Sequence, residues 1–190
     1  MRVILATISP YKREVLERTG LVFESMGSDF DEDMAQALDP DDLARELALG
    51  KARAVAAKHP DATVIGTDVF CEFNGNVLGK PKDAEDAFRM LESYKGNAVK
   101  VICGLAVVSG KKELTHVEYG EILFRDDMTD AEIRAYVATG EPLTCSGSFN
   151  QERLGACLIA EERGDHNAIV GVPTYKTLEL LRKFGVNPLK

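Results

Sequence analysis

The sequence predicts an α/β layered fold built on a mixed sheet, on three observations. Short apolar, β-rich runs alternate with amphipathic helical stretches along the whole chain. Two hairpin signals, Asn74-Gly75 and Gly110-Lys111, demand antiparallel neighbours in a sheet that the helical crossovers would otherwise keep parallel. The 190 residues are 45% hydrophobic and 28% charged, and a chain of that size can bury roughly 70% of its unfolded surface, so one packed body needs no staples.

The elements follow in order. Val3 to Ala6 is a short buried strand that runs into Ser9-Pro10, where the serine caps a helix and the proline takes its first turn. That helix extends to about Arg18 and stops at Gly20, after which Leu21, Val22 and Phe23 begin an extended segment. The acidic stretch from Asp29 to Asp33 is loop, and Asp39-Pro40 opens a long helix with Leu43, Leu47 and Val55 on its apolar face. Thr63 to Phe73 is a strand that turns at Asn74-Gly75 and returns through Val77 and Leu78 to Gly79-Lys80-Pro81. Asp83 to Ser93 is helical, Gly96 punctuates it, and Val99 to Val108 is an apolar strand followed by another ending near Phe124. Thr129 and Glu132 form a capping box, and Gly140 ends the helix that it starts. Leu154 to Ala160 is expected as a strand and Pro173 to Phe184 as the last helix.

Composition excludes several functions. The formal charge of −8 does not favour a nucleic-acid backbone or an acidic membrane surface, so any anion site must gather its cations locally. The apolar run at the start is too short for a signal-peptide core or a membrane span, which points to the cytoplasm. Cys71, Cys103, Cys145 and Cys157 form no C-x-x-C pair and are expected as reduced, buried thiols. Walker, Gly-x-Gly-x-x-Gly and Ser-His-Asp patterns are absent.

Two segments carry chemistry. In Thr7-Ile8-Ser9-Pro10-Tyr11-Lys12-Arg13 a strand gives way to a helix start whose free amides, hydroxyls and two cations suit a phosphate, against the plainer reading of a capped helix with solvated basic residues. In Val64 to Phe70 the carboxylate of Asp68 interrupts an apolar strand, where it must be paired, hydrogen-bonded or metal-bound. Glu32 and Lys51 read by themselves as surface residues, and Lys80 sits in a rigid turn between Gly79 and Pro81.

The order of L-A-T-I-S-P-Y-K-R-E, Asp31-Glu32, Gly50-Lys51-Ala52, I-G-T-D ending at Asp68, Gly79-Lys80-Pro81, T-G-E-P, S-G-S-F and N-A-I-V-G-V-P resembles the Maf family of nucleoside triphosphate pyrophosphatases across almost the whole chain. The resemblance implies an elongated mixed sheet flanked by helices, similar to the inosine triphosphate pyrophosphatases, in one domain spanning 1–190 whose two lobes flank a central cleft. It implies Asp68 as catalytic acid or base, Glu32 as a second carboxylate, both on Mg²⁺ or Mn²⁺, and Arg13, Lys51 and Lys80 on the triphosphate. Thr7 stands where the family usually has serine, and Tyr11 and Lys12 where many members have two arginines, with Ser9 between them in the first loop. The aromatic Tyr11, the S-G-S-F segment followed by Glu152 and the closing G-V-N-P-L resemble the YceF branch, linked to 7-methyl-GTP, whereas Val69 departs from that branch's usual glutamine. The implied partner is a nucleoside triphosphate, with no nucleic acid and no membrane; a homodimer is compatible with the sequence. A dTTP/UTP pyrophosphatase of the same family and a nucleotide-binding regulator of septum formation are the competing readings.

Overall fold

The structure, a computed structural model, describes residues 2–32 and 38–189. Strands β1 (Arg2–Ala6), β2 (Glu24–Met26), β3 (Ala62–Phe73), β4 (Asn76–Leu78), β5 (Ala98–Ser109), β6 (Lys112–Phe124) and β7 (Ile159–Gly164) form one seven-stranded sheet in the order β2-β1-β3-β5-β6-β7, with β4 beside β3. The helices are α1 (Pro10–Glu17), α2 (Pro40–Lys58), α3 (Ala84–Ser93), α4 (Asp130–Ala138), α5 (His166–Val170) and α6 (Thr174–Arg182). β1 pairs in parallel with β2 and β3, while β4 and β7 pair antiparallel with β3 and β6, so the sheet is mixed as expected. Asp33, at the end of the expected acidic loop, lies outside the described residues.

Two compact units divide the chain. The first comprises 1–69, 102–118 and 167–190, and the second 70–101 and 119–166.

In the first unit the two-residue period of the strands sorts side chains onto two helical layers. Val3, Leu5, Ile65, Leu105 and Val107 pack with Val15 and Leu16 of α1 and Leu180 and Leu181 of α6. Their neighbours Ile4, Ala6, Val64, Ala106 and Val108 pack with Ala48, Ala52 and Val55 of α2. Two strand glycines let α2 come unusually close to that face. A Cβ on Gly66 would lie 2.1 Å from the Ala48 carbonyl oxygen, and one on Gly104 would lie 1.9 Å from that of Ala44. Neither overlap can be relieved by a rotamer change, because the obstacle is helix backbone.

In the second unit an aromatic cluster replaces aliphatic layering. Tyr94 meets Phe73 edge-on at 5.0 Å and Phe124 at a tilt at 5.1 Å between centroids, and Phe124 meets Phe149 edge-on at 5.0 Å. The Thr129–Glu132 capping box is complete, with Glu132 Oε2 accepting from the Thr129 amide at 2.8 Å and Thr129 Oγ1 accepting from the Glu132 amide at 3.2 Å.

One expected element is wrong, and the 3₁₀ helices Glu141–Thr144 and Ser146–Ser148 and one short α-helix are missing from the sequence reading. Leu154–Leu158 is a 3₁₀ helix, and the strand begins only at Ile159. The apolar run was compatible with either; its conformation is set by the Gly155 amide bonding Glu141 at 3.3 Å and the Ala156 amide bonding Arg153 at 3.0 Å. The short α5 precedes the last helix, which itself starts at Thr174. The thiols also depart from expectation: Cys71 and Cys103 are buried, but Cys145 is half-buried and Cys157 exposed. Among the described residues no helix is long and apolar enough to cross a membrane.

Candidate active site

Asp68 is the one carboxylate among the buried residues described, at 7% exposure. Its place follows from strand alternation. Val64, Gly66 and Asp68 share the face of β3 that meets α2, and Gly66 brings the helix close enough for Lys51, one turn past Ala48, to reach the carboxylate. Lys51 Nζ donates to Asp68 Oδ1 and pairs with Glu32 Oε1 at 3.0 Å. The Lys51 and Asp68 side chains are only 13% and 9% exposed, so the pair is largely withdrawn from water. Burial alone would depress the Lys51 ammonium, but Asp68 and Glu32 outweigh it and hold the group above the ordinary lysine value.

Glu32 reaches this cluster because its segment is pinned to α2. Phe30 lies flat on Gly50, where a Cβ would approach its ring to 2.3 Å, and Asp29 pairs with Lys58 at 2.8 Å. Gly50-Lys51 thus serves twice, as a floor for Phe30 and as the cation that Glu32 meets. The sequence offered Gly50 as a motif residue but gave no sign of its aromatic partner, which lies far away along the chain.

Lys12 approaches β3 differently. From the first turn of α1 its Nζ donates to the Thr67 carbonyl at 3.1 Å, while its stem lies on Gly171, where a Cβ would fall 2.5 Å from Lys12 Cε. The same Cβ would meet Val69 Cγ2 at 3.1 Å, so Val69 lines this spot. Gly171 has φ +120°, a conformation that side chains rarely adopt, which fits a glycine to both demands. Desolvation lowers the Lys12 ammonium below its usual value, Lys51 pushes the same way, and Asp68 and Glu32 oppose both.

The remaining first-loop residues build the helix start. Thr7 Oγ1 accepts from the Ser9 amide at 3.1 Å, and Ser9 Oγ accepts from the Lys12 amide at 3.4 Å. Tyr11 is half-buried. Arg13 is turned outward and pairs with Glu17 at 2.7 Å, apart from the Lys51 cluster. In the second unit, Lys80 is exposed in a loop anchored by the Gly147 amide on the Gly79 carbonyl at 3.0 Å. Glu152, in the same unit, lies on a surface segment with its carboxylate 3.7 Å from His166 Nε2. The structure therefore joins Asp68, Glu32 and Lys51 and sets Lys12 one residue away, at the Thr67 carbonyl. The surface reading of Lys51 taken alone is corrected by its burial.

The chain matches the Maf-like protein family over residues 2–184. It belongs to the Maf family. Among Maf relatives, the "dTTP/UTP pyrophosphatase" of Moorella thermoacetica is 42% identical over 189 residues, covering 98% of this chain and 96% of its own. The "7-methyl-GTP pyrophosphatase" of Chromohalobacter salexigens is 36% identical over 192 residues, covering 99% and 98%. The fold is shared with a HAM1 protein from Coxiella burnetii at a TM-score of 0.51 and 14% identity, over 96% of this chain and 99% of that one.

Proposed function

We propose that the chain hydrolyses the α–β phosphate linkage of a nucleoside triphosphate to the monophosphate and pyrophosphate, and that 7-methyl-GTP is its preferred substrate. The observation that carries the reaction is the buried Asp68–Lys51 pair with Glu32 at its edge, in a chain whose full-length relatives are named pyrophosphatases.

The charges explain what the cluster needs. Lys12 and Lys51 are balanced by Asp68 and Glu32, so these four groups are together neutral and cannot by themselves offset the roughly four negative charges of a triphosphate. Two hard carboxylates converging on one cation, Lys51 Nζ, are a donor set that would suit Mg²⁺ or Mn²⁺. Among the described residues no larger His, Cys, Asp or Glu cluster competes for such an ion. Bound there by Asp68 and Glu32, the ion would supply charge neutralisation of the phosphates. Asp68 orients or deprotonates the attacking water, and its depth in the strand keeps the carboxylate from competing solvent. With the carboxylates committed to such an ion, Lys51 would be free to bond a phosphate oxygen. On the same reading Arg13 and Lys80 share this task, and Thr7 and Ser9 lie against the phosphates.

For the base, the N7-methyl group makes guanine cationic, which favours the ring of Tyr11 by a cation–π contact and the Glu152 carboxylate as acceptor for N1–H and N2–H. Val69 supplies no hydrogen bond to a base. A dTTP or UTP preference is the second reading, favoured by the 42% identity to the Moorella protein of that name. Purified protein with Mg²⁺ or Mn²⁺, tested on 7-methyl-GTP, GTP, dTTP and UTP with pyrophosphate and orthophosphate measured separately, decides between them. Pyrophosphate release with the highest kcat/KM on 7-methyl-GTP is expected. Orthophosphate as first product refutes the reaction, and a higher kcat/KM on dTTP or UTP refutes the base assignment.

A further inference from the structure

Within the second unit, the segment that carries Glu152 is tied to one buried hydroxyl. Tyr136, on the last turn of α4 and 5% exposed, donates its phenolic proton to Glu141 Oε1 at 2.8 Å and accepts the Asn150 backbone N–H at 3.0 Å. Asn150 Oδ1 in turn accepts the backbone N–H of Glu152 at 2.9 Å. A second strand of the network closes the segment from its other end, because Glu141 Oε1 also takes the Gly155 amide at 3.3 Å. Gly155 packs so tightly here that a Cβ would stand 2.7 Å from the Tyr136 oxygen and 2.6 Å from the Asn150 carbonyl oxygen. Residues 150–155 therefore wrap around the hydroxyl with no slack.

The direction of these bonds is fixed by inventory. A phenol has one proton to give, and an ionised carboxylate can only accept, so the Tyr136 proton goes to Glu141 and its lone pair is left for Asn150. Burial, reinforced by the Glu141 charge, pushes the phenol upward, which keeps that proton in place at any working pH. The chain of contacts runs from a ring held in the α4 face to the main chain of an exposed carboxylate, and nothing in it is needed to make α4 a helix. Tyr136 could have been phenylalanine for packing alone.

We propose that Tyr136 is a positioning residue for base selection, its hydroxyl setting through Asn150 where Glu152 presents its carboxylate. This rests on the reading of Glu152 as the group that meets the base. Removing the hydroxyl leaves the Asn150 amide without its acceptor and lets the segment move, so the carboxylate loses its aim while phosphate-binding groups are untouched.

The test is the ratio of kcat/KM for 7-methyl-GTP to that for GTP, which a simple loss of folded protein does not move. Tyr136→Phe should lower it about fivefold, the equivalent of one ordinary hydrogen bond, mostly through KM for the methylated nucleotide. Asn150→Ala should lower it similarly, and Asn150→Asp, which keeps an acceptor oxygen, should retain at least the parent ratio; this pair decides the matter if Tyr136→Phe does not fold. Glu152→Gln should lower the ratio by itself, and adding Tyr136→Phe to it should bring no further loss. If Glu152→Gln lowers the ratio but neither Tyr136→Phe nor Asn150→Ala does, the positioning role is refuted and the base assignment stands. An equal drop from Tyr136→Phe when it is added to Glu152→Gln refutes action through Glu152. A ratio indifferent to Glu152→Gln overturns the base assignment, and the positioning role with it.

Discussion

Replacing Asp68 by asparagine separates its chemical role from its structural one. The amide keeps the side chain's shape and one oxygen for Lys51, but removes the charge that the ammonium faces at 13% exposure. Leaving a buried charge without its partner costs about 3–5 kcal/mol when nothing compensates. Here Glu32 remains at 3.0 Å and the amide oxygen still accepts, so a loss of about 1–3 kcal/mol is expected. For a chain of this length that is a fall in Tm of roughly 3–10 °C, read by differential scanning fluorimetry. Turnover should fall further than stability, by at least about 10²-fold, the lower end for a general acid or base. The assay is pyrophosphate release from 7-methyl-GTP under saturating Mg²⁺, on protein shown folded by its melting curve. A variant that melts lower but turns over near the parent rate would make Asp68 a structural anchor for Lys51 and refute its catalytic assignment.

Three further outcomes follow from the same geometry. Lys51 is held above its ordinary value, so its pairing stabilises the fold throughout neutral pH and is lost as pH rises through that raised value; Lys12, lowered below 10.5, imposes a cost while charged that is relieved as pH rises, so Lys12→Met should gain stability at pH 7 and the gain should narrow towards pH 10 in thermal melts. Lys80→Ala should mainly raise KM, while Arg13→Ala should also lower kcat; parental kinetics in both would show that these exposed cations, one of them paired with Glu17, are only solvated. In the native protein a thiol reagent at pH 8 should modify Cys157 first and leave Cys71 untouched, because burial pushes the Cys71 thiol up to about 12; rapid labelling of Cys71 in folded protein would contradict its packing.

Much of the fold was legible because its signals are local. Ser9-Pro10, the Thr129–Glu132 box and Asn74-Gly75 each act within four residues, and each appears where the sequence placed it. The carboxylate interrupting an apolar strand likewise announced Asp68. What escaped was decided by contacts between distant residues. Lys51 looked like one more charge on a decorated helix, and only Gly66 and Gly104, small enough to admit α2, turn it inward. Leu154 to Leu158 satisfied a strand's apolar pattern, yet Glu141, well before it in the chain, captures the Gly155 amide. Cys157 sat in an apolar run that the 3₁₀ helix exposes.

The contact of α2 backbone with those two glycines also limits how the Asp68–Lys51–Glu32 cluster can respond. Carbonyl oxygens of Ala44 and Ala48 rest against strand atoms with no side chain between them, so the helix has neither a compressible layer nor a rotamer to trade for a shift along the sheet. If Lys51 passes from carboxylate to phosphate, as proposed, the exchange therefore moves side-chain torsions and not a helix. Exchange of partners at this lysine then asks for side-chain rotation and not for the collective rearrangement of elements that takes microseconds to milliseconds. On the proposed reading, the cation hands over from protein to substrate while the backbone that carries it keeps its place.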